Sequence, residues 1–140
     1  MDAADPNGYD HATEIGVQFR DLDTNRHVNN AVYVSYLEQG RAEYFDDVIG
    51  VSLAEAEVAL ARLEVEYAAP LSYGDRVTVY TRVPSLGTSS FPIETLLETD
   101  GDVAATAEAT LVAFDPDSES ARPLPERWRD GIARHEGLAE

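Results

Sequence analysis

The chain has 140 residues and carries 27 Asp and Glu against 10 basic residues, a formal net charge of -17. That length suits one compact domain over 1–140, and the absence of Cys excludes disulfide scaffolds, thiolate metal sites and Cys nucleophiles. All ten basic residues are Arg and none form a basic stripe, which argues against nucleic acid or an anionic membrane surface as partner, and no apolar run reaches the length of about 18 residues that a membrane span needs.

The amino terminus is acidic and polar, unlike a secretory or transit leader, so a cytoplasmic protein is expected. An acidic coat with Arg in place of Lys points to a halophilic source, where dissolved salt screens self-repulsion. Residues 1–10 are expected to fray. Ile15, Val17 and Phe19 then alternate with Gly16 and Gln18, the two-residue period of a half-buried strand. A polar turn from Arg20 to Arg26 leads into a helix predicted from Asn29 or Asn30 to Ile49, with Gly50 placed to stop it. Its inner face comprises Tyr33, Leu37, Gly40, Tyr44 and Val48, and its outer face Glu38, Gln39, Glu43, Asp46 and Asp47. Gly40 in the inner row lets the helix approach a sheet closely, at a propensity cost of about 1 kcal/mol.

Strands follow. Leu63, Val65 and Tyr67 alternate with Arg62, Glu64 and Glu66, and a turn at 70–75 precedes Val77, Val79, Thr81 and Val83. Phe91, Ile93, Thr95 and Leu97 form the next strand, and Asp100-Gly101-Asp102 predicts a type I′ hairpin into a last strand over 103–114. A terminal helix over 125–135 sets Leu124, Trp128 and Ile132 on one side. The predicted order is a strand, a long helix and a four-strand antiparallel meander. The fold class is α+β, an antiparallel sheet of about five strands wrapped around one central helix, with a short C-terminal helix. Periodicity alone leaves a cystatin-like and a hot-dog arrangement both open.

The segment from Asp21 to Asn30 sets two carboxylates, carboxamides and an imidazole in a loop feeding a helix amino terminus, where backbone N–H groups are unpaired. Such donors stabilise an oxyanion in acyl transfer, and a carboxylate facing the same carbonyl attacks it or deprotonates a water. The same residues also fit plain local structure. Asn29 or Asn30 serves as a cap worth about 1 kcal/mol, Asp21 and Asp23 as loop acids, and His27 as a hydrogen-bonded structural residue.

The run Asp21-Leu22-Asp23-Thr24-Asn25-Arg26-His27-Val28-Asn29-Asn30, followed by Tyr33, Tyr36, Glu38 and Arg41, resembles the hot-dog acyl thioesterases. It looks most like the 4-hydroxybenzoyl-CoA thioesterase family, and its Asp-x-Asn-x-His-Val-Asn-Asn core is similar to plant acyl-carrier-protein thioesterases. The resemblance implies a hot-dog fold and hydrolysis of acyl-CoA to a free acid and coenzyme A, with no cofactor and no metal. It gives Asp23 the role of nucleophile or general base, and Asn25 and His27 those of the accompanying amide and imidazole. The backbone N–H of Asn30 polarises the thioester carbonyl, and Glu66, with Glu64 on the same face, matches an acid on a later strand. A homodimer or homotetramer, with sheets joined edge to edge and sites at the interface, is implied too.

Arg62, Arg76 and Arg82 are at hand for coenzyme A phosphates, but a surface ion pair in the acidic coat is the expected role of any one of them. Glu38 and Arg41, three apart on the helix, fit a structural pair. His11 and His135 are expected in mobile ends, which leaves His27 without fellow ligands for zinc. Tyr33, Leu37, Phe91 and Leu97 are candidates for shaping the acyl pocket. Two other functions stay open. One is a hot-dog enoyl-CoA hydratase, against which the spacing of Asp23 and His27 without an intervening Pro argues. The other is a non-catalytic acyl-CoA binding module.

Overall fold

Local chemistry accounts for both ends of the central helix, α1 (Asn30–Tyr44), in the computed structural model, which describes residues 5–139. Asn29 caps it, its side chain accepting the N–H of Ala31 at 2.8 Å. At the far end a single π turn, Phe45–Ile49, continues the helix, and Gly50 closes it in the left-handed conformation with φ 81°. The π turn inserts a residue and shifts the helical phase. Tyr33, Leu37, Gly40 and Tyr44 are buried as expected, joined by Tyr36 and Arg41. Beyond Tyr44, however, Phe45 and Ile49 point inward, and Val48 is only half-buried.

The strands are β1 (His11–Gly16), β2 (Val58–Tyr67), β3 (Arg76–Arg82), β4 (Ser90–Thr99), β5 (Asp102–Asp115) and a two-residue β6 (Ser120–Ala121), followed by α2 (Glu126–Glu136). Pairing is antiparallel throughout, in the order β1-β3-β4-β5-β2 with β6 on β5. The expected sheet around one long helix is therefore present, with α1 packed on β1, β3 and β4. The expected four-strand meander is not. Only β3, β4 and β5 follow one another, and β2 sits on the far side of β5 instead of beside β3. The connection after β2 explains this. The N–H groups of Ala68 and Ala69 bond to Ala104 O on β5, the chain then passes beneath the start of α1, and Asp75 O receives Val17 N–H next to β1.

Two further expectations change at the amino-terminal end. The first strand begins earlier and stops at Gly16, so Phe19 falls in a 3-10 turn, Phe19–Asp21, and is 75% exposed. Of residues 1–10, expected to fray, 1–4 lie outside the described residues, Pro6–Gly8 form a 3-10 turn and Tyr9 is buried beneath the Arg82 guanidinium. The Asp-Gly hairpin is as expected, with φ 50° at Asp100 and 82° at Gly101.

Two apolar clusters hold the layers together. One gathers Tyr44, Phe45, Phe91, Trp128 and Ile132 under α2, and the other gathers Tyr33, Leu37, Leu71, Val77, Val79 and Leu97 under the first turns of α1. His11 and His135 are built into the first region and do not lie in mobile ends. Each meets Tyr44 edge-on, at 5.4 and 5.6 Å between ring centroids, and His11 Nε2 lies 2.9 Å from Asp47 Oδ2. Among the described residues, no helix is long and apolar enough to cross a membrane.

Candidate active site

The loop between β1 and α1 is a knot of backbone hydrogen bonds. Asp21 anchors its start, with Oδ2 accepting the N–H of Gln18 at 2.9 Å and the hydroxyl of Tyr36 at 2.6 Å. Leu22 and Val28 pair as an antiparallel bridge, and between them Asp23 N–H donates to His27 O at 2.9 Å. Arg26 closes the tip with φ 66°. Asp23 Oδ1 accepts the N–H of Asn25 at 2.8 Å, a local turn that fixes the carboxylate while Oδ2 has no partner among the described residues. The base is pinned as well, because Val28 N–H reaches Leu71 O at 2.8 Å and His27 bridges Ser72.

Asp23, Asn25, His27 and Asn30 all line one open groove of about 460 Å³, walled on another side by Tyr33 and Tyr67. The helix start supplies the donor. Asn29 Oδ1 takes the N–H of Ala31, and Asn29 O takes that of Val32. The N–H of Asn30 has no acceptor among the described residues, and it sits at the positive end of the α1 dipole. Asn29, not Asn30, is thus the cap, and Asn30 is left with its amide unspent. Tyr33 donates to Ala69 O at 2.9 Å, and its phenol is pushed up chiefly by burial. Burial, reinforced by the Asp21 carboxylate, also raises the Tyr36 phenol. Both phenols therefore stay neutral donors near neutral pH and act as anchors.

Glu66 does not join this group. Successive strand side chains point to opposite faces. Leu63, Val65 and Tyr67 share the helix side of β2, while Glu64 and Glu66 line a separate depression with Glu94 and Glu108. The β2 residue at the groove is Tyr67, whose hydroxyl donates to Asn30 O at 2.9 Å and whose ring meets Tyr33 edge-on at 5.0 Å. No motif singles out Tyr67 as a site residue, although the alternation that marks Leu63 and Val65 places it on their side of the strand.

The arginines considered for phosphates each have a carboxylate: Arg62 with Glu64 and Glu108, Arg76 with Glu14, and Arg82 with Glu94 at 2.8 Å. Arg41 is buried while Glu38 is exposed, and the two form no ion pair among the described residues. Burial lowers the Arg41 guanidinium, partly opposed by Glu38. Of the four candidates for the acyl pocket, Tyr33 lines the groove, and Leu37, Phe91 and Leu97 lie in the core. A second, apolar cleft of about 710 Å³ shares Asp23 with the groove and carries Phe19, Leu22, Arg26 and Tyr73, the two exposed rings meeting edge-on at 5.9 Å. No group of three or more His, Cys, Asp or Glu among the described residues is arranged to hold a metal ion. A fixed carboxylate, an imidazole and an unspent amide at a helix start together suit acyl transfer to water.

The profile of the Thioesterase-like superfamily matches residues 17–132, from the loop before the groove through most of α2. Over 125 residues, 86% of this chain and 95% of the relative, 28% are identical to the long-chain acyl-CoA thioesterase FadM of Escherichia coli K12. The chloroplastic acyl-acyl carrier protein thioesterase ATL2 of Arabidopsis thaliana is 36% identical over 81 residues, 54% of this chain, and the chain spans only 43% of that relative's length. A crystal structure of a thioesterase from Thermus thermophilus, complexed with coenzyme A and zinc, superimposes with a TM-score of 0.87 at 38% identity. That alignment covers 95% of this chain and 98% of that one. The chain belongs to the thioesterase-like superfamily and has its hot-dog fold.

Proposed function

We propose that this protein hydrolyses acyl-CoA thioesters to a free carboxylic acid and coenzyme A, with Asp23 as the reactive carboxylate. The observation that carries the reading is that one groove is lined by Asp23 and by Asn30, whose N–H has no acceptor among the described residues. In the water-activating form, Asp23 takes a proton from water as its oxygen bonds to the thioester carbonyl carbon. The oxyanion rests against the Asn30 N–H. Collapse of the tetrahedral species breaks the carbon–sulfur bond, and the leaving thiolate takes up the proton. In the nucleophilic form, Asp23 itself bonds to the carbonyl carbon and the carbon–sulfur bond breaks to release the thiolate. Water then hydrolyses the mixed anhydride, restoring the carboxylate and supplying the proton that the thiolate takes up. Asn25 holds the carboxylate through its backbone N–H, and His27 is exposed beside it.

Coenzyme A is the better thiol carrier for this chain. Similarity to FadM runs over most of its length, whereas a surface of net charge -17 repels an acidic carrier protein. Self-association fits β2, a ten-residue strand that among the described residues is paired on one edge only and bears the exposed Leu60 and Tyr67. A dimer joined along that edge would bring the partner's sheet beside the groove.

Thiol release from acetyl- to palmitoyl-CoA and one aromatic acyl-CoA, in molar potassium chloride, tests the proposal. Wild type should release thiol, and Asp23→Asn should lose at least about 100-fold in kcat with an unchanged melting temperature. Retained turnover in Asp23→Asn removes Asp23 from the chemistry. No release by folded wild type moves the assignment to a hydratase or a binding module.

A further inference from the structure

We infer that Tyr67 is a positioning residue for the proposed reaction: its phenol clamps the first residue of α1 to the edge of the sheet and so holds the Asn30 N–H toward the groove. The chemistry rests on the thioesterase reading, and the clamp rests on geometry alone. Tyr67 is the last residue of β2, and its hydroxyl donates to the carbonyl of Asn30, 37 positions away in sequence, at 2.9 Å. Its ring stands edge-on to Tyr33, one turn further along α1, and Tyr33 in turn donates to Ala69 O at 2.9 Å. Two phenols thus tie the first turn of the helix to the segment 67–69.

Local helix chemistry does not replace this tie. The first N–H groups of a helix have no intrahelical partner, and helix ends fray. The Asn29 cap serves Ala31 and Val32, which leaves Asn30 with a tethered carbonyl and an N–H that has no acceptor among the described residues. Placement of that amide matters, because an oxyanion donor works only at about 2.7–3.1 Å from where charge develops. A shift of about 1 Å in such a group costs on the order of 100-fold in rate. Tyr67 is 48% exposed, so its ring contributes little to the core and its hydroxyl can be removed without a cavity.

Tyr67→Phe keeps the ring contact with Tyr33 and deletes the one hydrogen bond. Steady-state kinetics on the best acyl-CoA and backbone amide exchange by NMR are measured on variant and wild type. The expected result is a kcat lower by about 5- to 20-fold with KM within about twofold. Exchange at Ala31 and Val32 quickens while that at Leu37 to Arg41 is unchanged. A kcat equal to wild type overturns the inference. So does a raised KM with kcat held, which would make the phenol a direct substrate contact. Unchanged exchange at Ala31 and Val32 overturns the clamp whatever the kinetics. Tyr67→Leu, which also removes the ring contact, should exchange faster still at these amides, and protection equal to wild type counts against the clamp in the same way. If wild type cleaves no acyl-CoA, the thioesterase reading fails, and amide exchange still decides whether Tyr67 holds the helix start.

Discussion

Replacing Gly40 by Ala sets two opposing quantities against each other. Ala is preferred over Gly in a helix interior by about 1 kcal/mol. A Cβ at position 40, however, would lie 2.5 Å from Val79 Cγ1, 3.1 Å from Thr81 Oγ1 and 3.3 Å from Val79 Cβ. Carbon atoms in contact rest at about 3.5–4.0 Å, so helix or strand must yield by about an ångström. Neither yields easily. Val79 and Thr81 are fully buried, their β-branched side chains are stiff at χ1, and β3 is paired on both edges by β1 and β4. Overpacking of this kind costs about 1–3 kcal/mol, and with both neighbours immobile the upper figure applies. The net loss is about 2 kcal/mol, or about 6 °C in melting temperature for a domain of this size. Urea unfolding followed by fluorescence of Trp128, buried against Phe45, measures it. In the double variant Gly40→Ala/Val79→Ala the clashing methyl is gone, so the two changes should couple favourably by about 1–2 kcal/mol. A Gly40→Ala protein that melts at or above wild type would refute the reasoning, because propensity would then outweigh the close approach of α1 to β3.

Two further outcomes follow from charge. Burial raises the Tyr44 phenol, and the Glu136 carboxylate to which it donates at 2.6 Å raises it further. The unfolded chain ionises this group near pH 10 and the folded protein does not. Its stabilisation is therefore complete below about pH 10 and drains away above it, by about 1.4 kcal/mol per pH unit. Tyr44→Phe should flatten that alkaline limb in urea unfolding, and a limb parallel to wild type would contradict the assignment. Salt acts on the acidic sheet face, where Glu64 and Glu94 are both direct cross-strand neighbours of Glu108 and Arg62 and Arg82 supply the ion pairs to these carboxylates. Raising potassium chloride from about 0.1 to about 1 M shortens the screening length from about 10 to about 3 Å. Calorimetry should show the melting temperature rising over that range, and a fall would mean that ion pairs outweigh repulsion.

The candidate site was legible because it is short-range. Asp23, Asn25, His27 and Asn30 lie in one segment, so a single turned loop suffices to bring them to one groove, and the helix cap that frees the Asn30 amide is the adjacent residue. The arginine partners were not legible. Whether Arg62 meets Glu108 depends on the pairing of β2 with β5, which no local pattern announces. Tyr67 stands between these cases. Its side of the strand followed from alternation, but its bond to a carbonyl on α1 required knowing that the end of β2 passes the helix start.

The sequence by itself determined the features set by single-residue backbone preference and by hydrophobic period. These are a cap within the Asn29-Asn30 pair, the left-handed stop at Gly50, the Asp100-Gly101 hairpin and the buried stripe from Tyr33 to Tyr44. Only the tertiary structure decided the strand order, the exposed position of Phe19, the inward turn of Phe45 after the π turn and the seating of His11 and His135 against Tyr44. The physical reason is the range of the interactions. A hydrophobic period states which face of a strand is buried but not which strand lies beside it. That choice is made by packing and backbone pairing summed over residues far apart in the chain, and here it sets β2 against β5 and delivers Tyr67 to the start of α1.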